Sequence, residues 1–217
     1  MIYFLSDFHG GEATEGLRDY LTFCRPDDWL IVLGDVGLQF ENTAANRAFT
    51  DWFLALTCRI AIVDGNHENN AFLASFPEED WCGGKIHRLS PSIVHLQRGY
   101  IFDIEGKRFF VMGGCKSSAK WKEQGLWYAG ECPDEAELRR GYANLQACGN
   151  AVDYVLTHAY WREEEMPTAL QSPTVEELIT YIDEAVSFTH WYSGHRHWEG
   201  QLDDKHTVVY KTPVALV

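Results

Sequence analysis

Short apolar runs that end abruptly in polar residues recur along this chain. The first, Ile2–Leu5, is followed at once by "SDFHGG". Leu30–Leu33, Ile60–Val63 and Val152–Leu156 are likewise followed by "GDVG", "DGNHE" and "THAYW". Runs of four or five apolar residues bounded by turn-forming residues are typical of buried strands. The chain is therefore predicted to carry several buried strands with polar groups at their carboxyl ends.

Amphipathic segments of helical period separate these strands. They lie around Leu17–Phe23, Ala44–Leu56, Glu135–Ala147 and Val175–Val186. Capping-box patterns at Asp134–Glu137 and Thr174–Glu177 indicate where the last two helices begin. A hairpin is predicted to turn at Glu105–Gly106, and terminal strands are expected in "HTVVYKTPVALV". Strands that alternate with helices favour a layered α/β fold with some antiparallel pairing.

Length and composition predict an ordinary soluble protein. At 217 residues, with 46% hydrophobic residues, the chain fits one domain over residues 1–217. We find no apolar run of about 18 residues and no basic leader, so no membrane span is expected and the expected location is cytoplasmic. The six cysteines form no C-x-x-C pair, which argues against a zinc ribbon or a disulfide framework.

The acidic excess restricts the partners. Asp and Glu number 32 against 18 Lys and Arg, a formal charge of −14. Such a charge opposes non-specific binding to long nucleic acid. It is compatible with a small phosphorylated substrate, because bound divalent cations reverse the local field inside a pocket.

The polar strand ends supply carboxylate, amide and imidazole groups. These are Asp7, His9, Asp35, Asn66, His67, His158, His195 and His197. Because α/β folds gather the carboxyl ends of strands at one edge, we expect these groups to meet. In extended chain, residues two apart point to the same side, so Asp7 and His9 can reach one metal ion, as can His195 and His197. A lone histidine is more often structural, so the prediction of a metal site depends on the whole set.

Four histidines match none of these blocks and are interpreted as structural or surface residues. They are His87, His95, His190 and His206.

In order, the blocks read D-x-H, G-D, G-N-H-E, a later His and G-H-x-H. This pattern resembles the calcineurin-like metallophosphoesterase superfamily, and "GGCKSSAKWKEQGLWYAGE" is similar to a small bacterial and phage branch of it. The resemblance implies a four-layer αββα sandwich of mixed sheets flanked by helices. It also implies hydrolysis of a small phosphomonoester or phosphodiester by a hydroxide that bridges two metal ions.

Carried over to this chain, the resemblance implies a ligand set for each metal. One metal would be held by Asp7, His9, Asp35 and His197, and the other by Asp35, Asn66, His158 and His195. Asp35 would bridge the two cations, for which manganese is the leading candidate and iron, nickel or zinc are alternatives. His67 would act on the phosphoryl or leaving-group oxygen as a general acid or an electrostatic stabiliser.

The chain departs from the superfamily pattern at position 38. Many relatives carry an aspartate there that orients the histidine of G-N-H, whereas this chain has Leu38. His67 therefore lacks its usual partner unless Glu41, Asp64 or Glu68 replaces it. Gln39 and Asn70 stand near the places where phosphoprotein phosphatases carry arginines, which argues against a phosphoprotein substrate.

The basic and aromatic segment at 115–128 is the candidate for substrate binding. Lys116 and Lys120 could bind a phosphate, and Trp127 and Tyr128 could stack on a base. The same segment could equally be a surface loop that packs on itself. Three other functions stay open: a scaffold that binds metal without catalysis, a nuclease of the same superfamily, and a mononuclear hydrolase of another bond.

Overall fold

The computed structural model describes residues 1–160 and 173–216. Its strands are Ile2–Leu5 (β1), Trp29–Leu33 (β2), Arg59–Val63 (β3), Glu78–Trp81 (β4), Gly84–Arg88 (β5), Ile93–Leu96 (β6), Ile101–Ile104 (β7), Lys107–Met112 (β8), Tyr154–Thr157 (β9), His190–Ser193 (β10), Gly200–Gln201 (β11), His206–Val208 (β12) and Val214–Ala215 (β13). Its helices are Glu15–Phe23 (α1), Ala44–Leu54 (α2), Asn70–Leu73 (α3), Ala119–Glu123 (α4), Glu135–Ala147 (α5) and Pro173–Ala185 (α6). No helix within these ranges has the length and apolar character that crossing a bilayer requires.

The strands form two mixed sheets. Within the described ranges, seven strands pair in the order β13-β1-β2-β3-β6-β5-β4 and six in the order β11-β12-β10-β9-β8-β7. The central strands β1, β2, β3 and β6 of the first sheet are parallel, as are β8, β9, β10 and β12 of the second. The remaining strands pair antiparallel at the edges. Each sheet therefore directs several carboxyl ends to one edge.

The two sheets pack face to face around a common core. Phe4 of the first sheet stacks on Tyr192 of the second, with ring centroids 4.2 Å apart. Leu33 and Phe109 are fully buried in the same cluster. Burial of such side chains contributes about 1.5–3 kcal/mol each, so this layer is a principal source of stability.

Helices cover the outer face of each sheet. Leu17 of α1 and Phe53 of α2 are fully buried against the first sheet. Leu145 of α5 and Ile182 of α6 are fully buried against the second. Since both faces of each sheet are covered, the central strands are continuous apolar runs. The predicted four-layer sandwich of mixed sheets flanked by helices is confirmed.

Most predicted elements occur within two residues of their expected ends. The hairpin turns at Glu105–Gly106, and Asp134 forms the predicted capping box with Glu137. The side chain of Thr174 lies outside the described residues, so the second capping box stays a prediction. The two terminal strands form as expected but join different sheets, because β12 pairs with β10 and β13 with β1.

Sequence reasoning missed the strands β4, β5 and β6. Glu78–Trp81 is polar and half-exposed at the edge of the first sheet, so it lacks the apolar run that identifies a buried strand. Gly84–Arg88 pairs with it through a tight turn at Cys82 and Gly83. β4 and β5 depend on their neighbours in the sheet rather than on local pattern, whereas β6 is buried along its whole length and its apolar run is interrupted only by His95.

A buried histidine ties the second sheet to α6. The ring of His206 stacks on Tyr160, with centroids 4.5 Å apart. Its Nδ1 lies 2.8 Å from Asp203 Oδ1, and its Nε2 lies 3.3 Å from Asp183 Oδ1. Burial alone would lower the pKa of His206, but these two carboxylates outweigh it and raise that pKa. A raised histidine pKa contributes stability that is complete below about pH 6.5 and is lost as pH rises through the folded value.

We expect Asp203→Asn to destabilise the protein at pH 5.5 and to have little effect at pH 9. The asparagine oxygen can still accept the backbone N–H groups of Lys205 and His206, so the substitution removes mainly the charge. At pH 5.5 the loss should be about 1 kcal/mol, or roughly 2–4 °C in Tm for a chain of this size. Thermal melts at both pH values check this, with the exposed Asp204→Asn as control. An equal loss at both pH values would contradict it.

Candidate metal centre

The polar strand ends meet where the carboxyl ends of the two sheets adjoin. Asp7 follows β1, and Asp35 follows β2. His158 follows β9, and His195 follows β10 in the second sheet. Direct contacts join the two sheets here, because the His195 backbone N–H donates to Asp7 Oδ2 at 3.0 Å. The predicted convergence at one edge is therefore present, and it draws on both sheets.

Two groups of possible metal ligands share one carboxylate. Within each group, one ligand atom per residue lies within 4.8 Å of all the others, among the residues that the structure describes. The first group is Asp7, His9, Asp35 and His197, and the second is Asp35, His158 and His195. Asn66 adjoins the second group, since its Oδ1 lies 3.1 Å from His158 Nε2. Asp35 belongs to both groups.

The donor atoms of these groups fit a cation. Asp7 Oδ1 is buried and has no hydrogen-bond partner in the described part of the chain. His9 Nε2 and His197 Nε2 lie 2.8 Å apart. His158 Nδ1 donates to the Leu33 carbonyl at 2.7 Å, so its Nε2 carries a lone pair when the ring is neutral, facing the Asn66 oxygen. Lone pairs that converge in this way are satisfied by a cation.

Electrostatics keep the shared carboxylate ionised. Burial alone would raise the pKa of Asp35, but the imidazoles of His158, His67 and His9 outweigh it and hold that pKa well below its usual value. Burial likewise opposes charge on His158, yet Asp35 raises its pKa to about 9. Burial, together with the neighbouring His158, lowers the pKa of His195 to about 4. A cation therefore finds His195 neutral and competes with a proton for His158.

The backbone is left-handed at most of the ligand candidates. Positive φ values between 46° and 65° occur at Asp7, His9, Asp35, His195 and His197. Asp and His tolerate this region better than most residues, although it is still less favourable than ordinary backbone. Several of these turns are fixed by backbone bonds between loops, such as Asp7 N–H to the Gly34 carbonyl and His9 N–H to the Asp35 carbonyl.

Glycines let neighbouring loops approach the ligand side chains. A Cβ at Gly65 would lie 2.1 Å from Asp35 Oδ1, and one at Gly34 would lie 2.2 Å from His158 Nδ1. These two motif glycines therefore make room for the ligand side chains themselves.

His67 lies beside the centre in an aromatic environment. Its ring centroid is 4.7 Å from that of Trp121 and 5.1 Å from those of Phe40 and His9. No carboxylate in the described residues bonds to its imidazole. Burial is the main reason that the pKa of His67 is lowered.

The three carboxylates proposed as substitute partners of His67 do not contact its ring. Glu68 is buried and accepts the backbone N–H groups of Val36 and Gly37. Asp64 is paired with Arg98, and no described contact joins Glu41 to His67. Leu38 is itself fully buried among apolar side chains, so the position offers no polar substitute.

A cavity of about 350 Å³ opens over both ligand groups. Its lining includes Lys116, Ser117, Ser118, Trp121 and Glu12, together with Asp35, Asn66, His9, His67, His195 and His197. Of the residues predicted to bind substrate, Lys116 lines this cavity. The other three lie outside its lining.

Each of those three residues has contacts of its own. Lys120 Nζ lies 5.9 Å from the Trp121 ring. Trp127 is 38% exposed and is contacted by Lys122. The Tyr128 hydroxyl donates to the Phe40 carbonyl at 2.9 Å. Tyr128 therefore fastens the 115–128 segment to the loop after β2.

Sequence reasoning gave no individual role to several residues of the site, although two of them, Ser117 and Trp121, lie in the 115–128 segment. Ser117 contacts Asn66, Trp121 contacts His67, and Tyr210 stacks on His197 at 5.3 Å. Such residues come from segments far away in sequence, and a serine or an aromatic residue carries no metal-ligand signature. The four histidines outside the motif blocks, His87, His95, His190 and His206, belong to neither ligand group.

Comparison with known proteins assigns the family. A sequence profile described as calcineurin-like phosphoesterase matches residues 1–199. The chain therefore belongs to the calcineurin-like phosphoesterase family, whose members are metal-dependent phosphoesterases. No curated protein matches closely enough to count as a relative.

Two solved structures resemble the chain. One crystal structure covers 97% of this chain and 90% of its own chain, with a TM-score of 0.50 at 12% identity. The other, a protein of unknown function from Aquifex aeolicus, covers 87% of each chain with a TM-score of 0.41 at 18% identity. The first likeness supports the fold alone.

Asp35→Asn should weaken cation binding at both ligand groups by at least about tenfold. Asparagine preserves an oxygen that can accept the His67 backbone N–H, bonded to Asp35 Oδ1 at 2.7 Å, so the loop should stay in place. Titration of metal-free protein with Mn²⁺ or Co²⁺ measures this. Asp28→Asn is the matched control, since Asp28 is a buried carboxylate at the opposite end of β2. Unchanged metal content in Asp35→Asn would contradict the shared role.

Proposed function

We propose that this protein hydrolyses small phosphate esters, monoesters or diesters, at a centre of two cations. The observation that carries the proposal is the sharing of Asp35 by two ligand groups beneath one cavity. Asp7, His9, Asp35 and His197 would hold one cation, and Asp35, Asn66, His158 and His195 the other. When bound, two cations supply Lewis-acid stabilisation of charge on the phosphoryl oxygens and lower the pKa of water. Manganese is our first candidate, with iron, nickel or zinc as alternatives.

The cavity supports a small substrate of modest charge. Its volume of about 350 Å³ is near the lower end of the range for ligand pockets. Lys116 is the single lysine or arginine among its described lining residues, and Glu12 lies in the same lining. One lysine can bind one phosphoryl oxygen but cannot grip a dianion as a pair of arginines does. We therefore infer little preference for a dianionic monoester over a singly charged diester.

His67 would contact the leaving-group side of the ester. Its ring faces the cavity between Phe40 and Trp121 and is not oriented by a carboxylate. An imidazole held in this way can donate a hydrogen bond but is poorly equipped to deliver a full proton. Trp121 offers an apolar face to an aromatic or other flat leaving group.

Aryl esters and phosphoanhydrides should be cleaved at least about 10²-fold faster than alkyl esters such as phosphoserine, because the leaving group departs with little proton transfer. Single-turnover rates on esters of graded leaving-group acidity measure this. A steep dependence on leaving-group pKa is expected. Similar chemical-step rates for aryl and alkyl esters would show that some group does protonate the leaving oxygen.

His67→Ala should lower the rate by roughly 10²–10⁴ while metal content is preserved. His67→Gln retains a hydrogen-bond donor and should recover part of the loss if the role is electrostatic. His87→Ala serves as control, because His87 is not among the residues that line the cavity. Steady-state rates and elemental analysis of the same preparations give both quantities.

The main alternative is a scaffold that binds metal without turnover. A wild-type protein that holds both cations and yet cleaves no ester, anhydride or nucleotide would favour that alternative. An unchanged hydrolysis rate in His67→Ala would be compatible with a hydrolase but would show that His67 takes no part in its mechanism.

A further inference from the structure

The segment from Gly113 to Glu131, here called the arm, is anchored to the metal centre by buried polar contacts. It contains α4 and part of the cavity lining. Ser117 and Glu131 are 4% and 3% exposed, unusual burial for polar residues of an irregular segment. Buried polar groups are stable only when they are paired, so the partners of these two residues indicate what the arm does.

Ser117 contacts a proposed metal ligand. Asn66 Nδ2 donates to Ser117 Oγ at 3.0 Å in a buried position. The other end of the same amide, Oδ1, lies 3.1 Å from His158 Nε2. The serine therefore binds the nitrogen end of the amide while the oxygen end faces the second ligand group.

Glu131 holds Ser117 in place. Its Oε2 accepts the Ser117 backbone N–H at 3.1 Å, and its Oε1 lies 3.3 Å from Lys122 Nζ. The Glu131 backbone carbonyl also accepts the Cys115 N–H at 2.9 Å. Glu131, at the carboxyl end of the arm, thus fixes the positions of Cys115 and Ser117 near its amino end.

Arg98 joins the arm to the loop that carries Asn66. Its guanidinium pairs with Asp64, two residues before Asn66, and donates to the Gly130 carbonyl at 2.8 Å. Arg98 is 5% exposed. The buried guanidinium of Arg98 therefore stabilises both segments that form the Ser117–Asn66 contact.

We propose that Ser117 is a positioning residue for the metal ligand Asn66, with Glu131 as its anchor. The inference rests on the proposed function, because it takes Asn66 as a ligand of the second cation. An asparagine amide can turn either its oxygen or its nitrogen toward a cation, and only the oxygen binds. The Ser117 hydroxyl accepts a hydrogen bond from the Asn66 amide nitrogen and thereby favours the binding orientation. Without it, a buried donor is left unpaired and the amide is free to rotate.

The test is Co²⁺ titration of the metal-free full-length chain, followed by calorimetry and by the visible absorption of bound cobalt. Ser117→Ala should weaken one of two cobalt equivalents by about 10–100-fold, the usual cost of losing an outer-sphere partner. The other equivalent, held by Asp7, His9, Asp35 and His197, should keep its affinity and spectrum. Ser117→Thr retains the hydroxyl and should restore the affinity of the weakened site.

Ser118→Ala is the matched control. Ser118 is the next residue, lines the same cavity and makes no side-chain capping bond at α4. Its removal should leave both cobalt affinities unchanged. Equal losses in Ser117→Ala and Ser118→Ala, or wild-type affinities in Ser117→Ala, would overturn the proposal.

Glu131 supplies a second variant pair. Glutamine at 131 keeps an oxygen for the Ser117 N–H, whereas alanine does not. Glu131→Ala should weaken the same cobalt equivalent by about tenfold, and Glu131→Gln should not. The Ser117→Ala/Glu131→Ala double variant should be no weaker than Ser117→Ala alone, because Glu131 acts through Ser117. If Ser117→Ala fails to fold, the Glu131→Ala and Glu131→Gln variants test the inference in its place. Equal cobalt affinities in these two variants would overturn it.

Failure of this inference can be told from failure of the proposed function. Asn66→Ala tests the ligand assignment directly, and wild-type cobalt affinity in that variant would mean that Asn66 is no ligand. If the wild type cleaves esters but Ser117→Ala binds cobalt normally, the hydrolase stands and the positioning role is wrong. If the cobalt pattern appears in a protein that cleaves no ester, the positioning role stands and the hydrolase is wrong.

Discussion

The carboxylate of Asp35 is the point at which the two ligand groups and the neighbouring loops meet. It is 1% exposed, lies 3.4 Å from His158 Nε2 and 3.8 Å from His9 Nε2, and accepts the backbone N–H of His67. A buried carboxylate is costly unless it is surrounded by donors or positive charge. The loops after β1, β3 and β9 therefore have to approach the loop after β2 closely. Gly65 makes that approach possible, since any side chain there would collide with the carboxylate.

Local pattern in the sequence predicts a layered α/β fold and candidate ligands at the strand ends, whereas the four-layer sandwich and the division of the ligands between two metals are implied by the family resemblance. A fully buried parallel strand is a short apolar run, and its end is marked by the first polar residue, as at Leu5 and Leu33. The arm anchors could not be found in this way. Arg98 and Asp64 are 34 residues apart, and nothing around Arg98 distinguishes it from a surface arginine. Likewise, an aromatic environment for His67 depends on Trp121, which packing alone brings there.

The cavity combines two unlike halves. One half is a strongly polar floor of carboxylates and imidazoles, while the other is formed by the arm with Lys116 and Trp121. The residues of the floor lie on loops that directly follow strands of the two sheets. The arm is an irregular segment with one short helix, held by the Lys122–Glu131 ion pair and by buried hydrogen bonds. Under the proposed function, the chemistry would lie on the loops that follow the strands, and contacts with the substrate would come from the arm. Such a division would let the substrate contacts change while the ligand groups are kept.

The left-handed backbone at Asp7, His9, Asp35, His195 and His197 has an evolutionary consequence. At roughly 1 kcal/mol each, five such residues lower the free energy of unfolding by about 5 kcal/mol. This is comparable to the lower end of the range of unfolding free energies for whole domains. Under the proposed function, selection for the ligand side chains would retain them, because glycine would adopt the same backbone without strain. In a lineage that no longer needs the cations, drift should convert these positions to glycine or asparagine before it disturbs the sheets. The pattern of such replacements would then record which descendants have become inactive, even where the fold is intact.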